Sequence, residues 1–198
     1  MPFIVVDLDG CLIDDINAAF DRLFRKPLDG PSKFAERIFK EAIFAAMTKL
    51  PKHSASKSIR MRIDFDSNVV DAIKTAFEKG YKSIVRTANP NFKESGSIDA
   101  VKAQLRSEFN VDVDFSYSEN RLKHGMYNGE KPALLIEDNP EVAINAARNG
   151  IDVLLMLKDY NGFLGRVLAK LNHKIQVVGP DELGKNVRAK LKNLKSIS

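Results

Sequence analysis

Short apolar runs alternating with longer segments of helical spacing constrain this chain more than any other feature. The runs are Phe3–Asp7, Lys82–Thr87, Asp112–Tyr117, Ala133–Glu137, Asp152–Met156 and Lys174–Val178. Strands buried on both faces read as near-continuous apolar runs, and such strands belong to parallel sheets covered by helices. The intervening segments supply those helices. Val70, Ile73 and Phe77 form one apolar stripe, closed by Gly80, and Ile98, Val101 and Leu105 form another. Asn139-Pro140 reads as a helix start, with Asn as cap and Pro at the first helical position. Val142, Ala146 and Ala147 would then face the core, and Gly150 would end the helix.

The connection between the first two runs departs from this rhythm. From Cys11 to Arg62 it is too long for a simple crossover. Ile16, Ala19, Phe20, Leu23 and Phe24 follow helical spacing, and after Pro31-Ser32 so do Phe34, Ile38, Ala42 and Ala45, up to Leu50-Pro51. The expected fold is a Rossmann-like three-layer α/β domain with a mostly parallel sheet, built from 1–12 and 63–198, with a small helical cap at 13–62 inserted after the first strand.

Composition limits the functional classes. The 198 residues suffice for one domain with a real core, and the formal net charge is +5. That excess favours anionic ligands by steering and says nothing about fold. Much of it falls in Lys49–Arg62, where Lys49, Lys52, Lys57, Arg60 and Arg62 are met by no acid, and in the C-terminal lysines and arginine from Lys185 to Lys195. The single cysteine, Cys11, excludes an intramolecular disulfide and suits a reducing compartment. No apolar stretch approaches the ~18–20 residues that span a bilayer. Met1-Pro2-Phe3 enters a strand without the layout of a signal peptide. A cytoplasmic protein that does not engage a membrane is the expectation, with the oligomeric state left open.

Chemistry enters where the strands end. The first run ends in Asp7-Leu8-Asp9-Gly10, the second in Thr87, and the fourth in Glu137-Asp138-Asn139-Pro140. In open α/β sheets that carboxyl edge is where ligands bind. One carboxylate there can attack phosphorus and another can move the leaving group's proton. Magnesium takes hard oxygen ligands, and Asp7 and Asp138 would hold it between them if their strands are neighbours. Manganese could substitute.

These motifs, taken in order, resemble the haloacid dehalogenase-like superfamily of phosphohydrolases, over Phe3 to about Met156. The resemblance implies Asp7 as nucleophile and metal ligand, and Asp9 as general acid/base that also reaches the metal through its carbonyl. It implies Thr87 and the N–H of Ala88 as phosphoryl-binding groups. Asp138 would complete the metal site with Glu137 beside it, and Mg2+ would be the cofactor. A lysine offsetting the gathered charge is also implied. Lys123, after the third strand, is chosen over Lys131, which precedes the fourth strand at the opposite edge. Cys11, where the family has Thr or Val, is expected to be a buried spacer. Glu137-Asp138 stands where Gly-Asp or Asp-Asp is more usual.

An Asp two residues after the nucleophile goes with phosphatases and phosphomutases of that superfamily. The expected activity is therefore a phosphoric monoester hydrolase. The layout around Ile136–Pro140, Lys158–Asn161 and Gly179–Leu183 resembles the 5'-nucleotidase (deoxyribonucleotidase) branch, which makes nucleoside monophosphates the expected small substrates. Lys49–Arg62 motivates a second reading, a polynucleotide 3'-phosphatase. A non-catalytic phosphate-binding module is the third. Retention of Asp7, Asp9, Thr87, a lysine and Asp138 argues against the last.

Overall fold

A computed structural model describes residues 1–13, 63–88, 92–93, 95–118, 127–158 and 161–195. All six apolar runs become strands: β1 (Phe3–Asp7), β2 (Lys82–Thr87), β3 (Asp114–Tyr117), β4 (Leu134–Glu137), β5 (Val153–Met156) and β6 (Ile175–Val178). They form one sheet in the order β3-β2-β1-β4-β5-β6, with every pairing parallel. Four strands start one or two residues later than the apolar runs do. Residues such as Asp112 and Val113 lead into the ladder before pairing begins.

The side chains of each strand alternate between two cores. Ile4 and Val6 of β1, Val85, Leu134, Ile136, Leu154 and Met156 face helices α1 (Ser67–Glu78), α2 (Ser95–Phe109) and α5 (Leu183–Lys195). Phe3, Val5, Ile84, Leu135, Val153 and Leu155 face α3 (Pro140–Arg148), with α4 (Gly162–Leu171) covering the same side. Right-handed crossovers explain this split. The chain moves one way along the sheet from β1 to β3 and the other way from β4 to β6, so the connecting helices fall on opposite faces. The three-layer, Rossmann-like α/β expectation holds, and the sheet is wholly parallel. Helix α4 sits close on it: a Cβ at Gly165 would lie 2.9 Å from Leu155 Cδ2.

One packing expectation fails. Phe77 is 72% exposed, and α1 buries Val69, Val70, Ala72, Ile73 and Ala76 instead. From Ile73 both the third and the fourth following residues lie near the core face. The small Ala76 takes the buried place and lets α1 approach the sheet.

The two ends of the long connection meet beside β1. Ile13 forms an antiparallel bridge with Phe65, and the Asp66 N–H donates to the Leu12 carbonyl at 3.0 Å. Gln104 of α2 clamps the returning chain, accepting from the Ile63 N–H at 3.1 Å and donating to the Ile63 carbonyl at 2.7 Å. The segment 14–62, read from the sequence as most of a helical cap and including the basic run to Arg62, lies outside the described residues. No helix among the described residues is long and apolar enough to cross a membrane.

Candidate functional site

The order of the strands places a topological switch between β1 and β4, where successive connections leave in opposite directions. A crevice opens at the carboxyl edge of such a point. Asp7 ends β1 there, and the chain turns at once. The Leu8 N–H donates to the Arg86 carbonyl at 2.8 Å, and the Leu8 side chain is sealed in the core beneath. Gly10 adopts φ +88°, a conformation that a residue with a Cβ resists. Its N–H donates to the Ile13 carbonyl, and the Ile13 N–H donates back to the Leu8 carbonyl, both at 2.8 Å. This small loop leaves Asp7 and Asp9 both buried, with the apolar Leu8 between them anchored in the core.

The neighbouring strands add to the edge. Thr87, fully buried at the end of β2, donates its hydroxyl to Asp9 Oδ2 at 2.7 Å. Ala88 follows it, half-buried. From β4 come Glu137 and Asp138, both buried. The register that pairs Val6 with Ile136 sets Glu137 next to Asp7 across the strands. Glu137 Oε1 accepts from the N–H groups of Asp138 at 3.2 Å and Asn139 at 3.0 Å. Asn139 caps α3 through its side-chain oxygen, which accepts from the Glu141 N–H at 2.9 Å. The expected cap and first-turn proline are thus both in place.

Ligating atoms of Asp7, Cys11 and Asp138 all lie within 4.8 Å of one another. Crowding acids in a dry site raises the cost of charging each of them. Burial, then Asp7, then Asp138 push the Glu137 carboxyl well above its ordinary value, against a smaller opposing effect of the Asn139 N–H. Burial, followed by Asp138, Asp7 and Glu137, pushes the Cys11 thiol up as well, which keeps it protonated. Glu137 Oε2 is buried with no hydrogen-bond partner among the described residues. Carboxylate oxygens of Asp7 and Asp138 this close together, with the unsatisfied Glu137 Oε2 on the residue beside Asp138, fit a small divalent cation held by Asp7 and Asp138. Cys11 is buried, as the spacer reading requires, yet its sulfur also belongs to this cluster.

Of the residues singled out in the sequence, Asp7, Asp9, Thr87, Ala88, Glu137 and Asp138 meet at one edge. Lys123 lies outside the described residues. Lys131 is exposed beside Gly150, ahead of β4 and at the amino edge, away from the acids.

Two residues of this edge, Lys158 and Asn161, bound a segment noted in the sequence but carry no site role in that reading. Lys158 follows β5 and is buried, with its Nζ 3.7 Å from Asp66 Oδ2. Asn161 ties the β5 loop to the β4 loop: its side-chain nitrogen donates to the carbonyls of Asp138 at 2.6 Å and Met156 at 2.8 Å. Its oxygen accepts from the Lys158 N–H at 2.8 Å. The signal available was position alone, since β5 delivers its following residues to the same edge as β1, β2 and β4.

No family model matches this chain, and no curated protein matches it. Among solved structures, a Bacteroides vulgatus protein provisionally named a beta-phosphoglucomutase superposes with a TM-score of 0.49 at 16% identity, over 97% of this chain and 90% of that one. A likeness of that size carries no weight for the chemistry, which rests on the residues themselves.

Proposed function

We propose that this chain is a Mg2+-dependent phosphohydrolase that works through an aspartyl-phosphate on Asp7. The observation that carries the reading is the convergence of Asp7 and Asp138 within 4.8 Å, next to an Asp9 already held by the Thr87 hydroxyl. Asp7 and Asp138 would hold the cation, with Glu137 alongside. When bound, it would offset the negative charge that gathers on the phosphoryl oxygens.

The chain's own residues account for the two steps. A carboxylate oxygen of Asp7 attacks phosphorus as the bond from phosphorus to the ester oxygen breaks. Protonated Asp9 gives its proton to the departing oxygen. In the second step the Asp9 carboxylate takes a proton from water. The water oxygen attacks phosphorus, the bond to Asp7 breaks, and inorganic phosphate leaves with both aspartates restored. The Ala88 N–H holds a phosphoryl oxygen. Thr87 fixes the rotamer of Asp9 through their hydrogen bond, and when Asp9 is protonated the hydroxyl accepts from it and turns its single hydrogen to a phosphoryl oxygen.

Small phosphomonoesters, nucleoside monophosphates among them, are the substrates this reading favours. The sequence layout after β4, β5 and β6 supports that choice. Hydrolysis of an aryl phosphate should appear with Mg2+ or Mn2+ and vanish with a chelator. A panel of nucleotides and sugar phosphates should then favour nucleotides. Absence of metal-dependent turnover would sink the phosphohydrolase reading, and a panel without preference would sink the nucleotide assignment alone.

A further inference from the structure

We propose that Lys158 and its partner Asp66 set the charge of the acid cluster, and so govern how strongly it holds a divalent cation relative to a phosphate anion. The inference rests on the metal- and phosphate-binding reading above and extends it to a residue pair outside the motifs that carry that reading.

Lys158 is an unusual lysine. Its side chain is only 4% exposed and that of Asp66 only 13%. Burying an ammonium costs several kcal/mol unless charges nearby compensate. The sequence offers no apolar pattern that would demand a lysine after β5. What surrounds it is acid: Asp66 at 3.7 Å, and a cluster close enough that the Lys158 charge acts on the Cys11 thiol, opposite in sense to Asp138, Asp7 and Glu137. Cys11 itself lies within 4.8 Å of the ligating atoms of Asp7 and Asp138. Geometry ties the lysine to the acids: one side chain, that of Asn161, accepts from the Lys158 N–H and donates to the Asp138 carbonyl, so the loops carrying Lys158 and Asp138 lie against each other.

Asp66 has two separate tasks. Its Oδ1 caps α1, accepting from the Asn68 N–H at 2.9 Å, and its Oδ2 faces Lys158. Its N–H is bonded to Leu12, in the loop that also carries Asp7 and Asp9. The pair thus spans the point where the chain returns from 14–62 and the loop that follows β5. Lys158 adds one positive charge near the acids, and Asp66 offsets part of it. In a low-dielectric site each unit of charge is felt by both ligands, with opposite sign for cation and anion.

This opposition gives a test that a purely structural ion pair would not pass. Binding of Mn2+ is followed by electron paramagnetic resonance, and binding of inorganic phosphate in Mg2+ by calorimetry, for the full chain and its variants. Lys158→Met should tighten Mn2+ and weaken phosphate, each by about tenfold. Lys158→Arg should restore both. Asp66→Asn keeps the capping oxygen and should do the reverse of Lys158→Met, loosening Mn2+ and tightening phosphate severalfold. Should Lys158→Met fail to fold, Asp66→Asn alone decides: its predicted pair of shifts supports the proposal and unchanged affinities overturn it. Variants that move both affinities in the same direction, or a folded Lys158→Met with neither changed, also overturn it. If the unaltered protein hydrolyses an aryl phosphate and binds both probes while the variants match it, only the role of Lys158 falls. If the unaltered protein binds neither probe, the reading of the site falls and this inference with it.

Discussion

The two ends of the sheet use charge in opposite ways. At the amino end Arg106 meets Asp112 at 3.1 Å with both side chains more than 70% exposed, and Asp152 is shared between Lys174 at 3.7 Å and Lys190 at 3.3 Å near the surface. At the carboxyl end Asp7, Asp9, Glu137, Asp138 and Lys158 are all buried. Exposed pairs contribute ~0–1 kcal/mol and keep a protein soluble at little cost. Buried acids raise the free energy of the folded state, and burying several together raises it further. Among the described residues this gathering of buried acids lies at the switch point of the sheet, the pattern expected where charge is held for chemistry rather than for stability.

The comparison can be broken or sharpened by substitution at each end. The largest effect is expected from Asp7→Asn, which removes the attacking oxygen's charge. Turnover of an aryl phosphate should fall by roughly a thousandfold or more, with the thermal midpoint unchanged or raised. An active Asp7→Asn would remove the nucleophile from the account. Next comes Asn161→Ala, which abolishes three buried hydrogen bonds and strands their partners. A loss of about 2–4 kcal/mol in denaturant unfolding is expected, together with lower activity, because Asp138 loses its tether.

Glu137→Gln probes the cost of the cluster directly. The carboxyl is raised above its ordinary value of 4.5 by burial and by Asp7 and Asp138. Below that value the group is protonated in both the folded and the unfolded chain, so it makes no pH-dependent contribution. Above it the unfolded chain ionises first, and the folded state loses stability as pH rises towards the raised value. In chelator, the wild type should therefore lose stability relative to Glu137→Gln as pH climbs above 4.5 towards the raised value. Parallel stability curves over that range would contradict the assignment.

Smaller effects are expected away from the acids. Asn139→Ala removes the cap of α3 and should cost about 1 kcal/mol. At the other end of the sheet, Arg106→Ala should change stability by less than about 0.5 kcal/mol. A large loss there would mean that the exposed pairs matter more than their geometry allows.

Much of this contrast was legible in the sequence, for a physical reason. Strands of a covered parallel sheet must be apolar throughout, so the residue at which polarity begins marks the carboxyl edge. That is why Asp7, Thr87 and Glu137 could be placed together before any pairing was known. The cap of α3 was equally legible, because capping is local. Pairings between distant parts of the chain were not. Asp66 belongs to none of the motifs read from the sequence, and Lys158 only opens the segment after the fifth apolar run. Only the sheet order brings them together. Phe77 was misplaced because helical spacing alone cannot choose between the third and fourth following positions when Ala76 offers a closer approach. Cys11 was read correctly as buried, but its place beside Asp7 and Asp138 depends on a loop closed by Gly10 and Ile13 that periodicity does not describe.

The central claim is that the buried acids exist to form and break an aspartyl-phosphate, and trapping that species tests it most directly. Asp9→Asn should still be phosphorylated by an aryl phosphate, whose leaving group needs little protonation, but should release phosphate slowly. Rapid quenching and peptide mass spectrometry should then find one phosphoryl group on Asp7. Metal-dependent hydrolysis that proceeds with Asp7 never labelled, or with the label on another residue, would contradict the account.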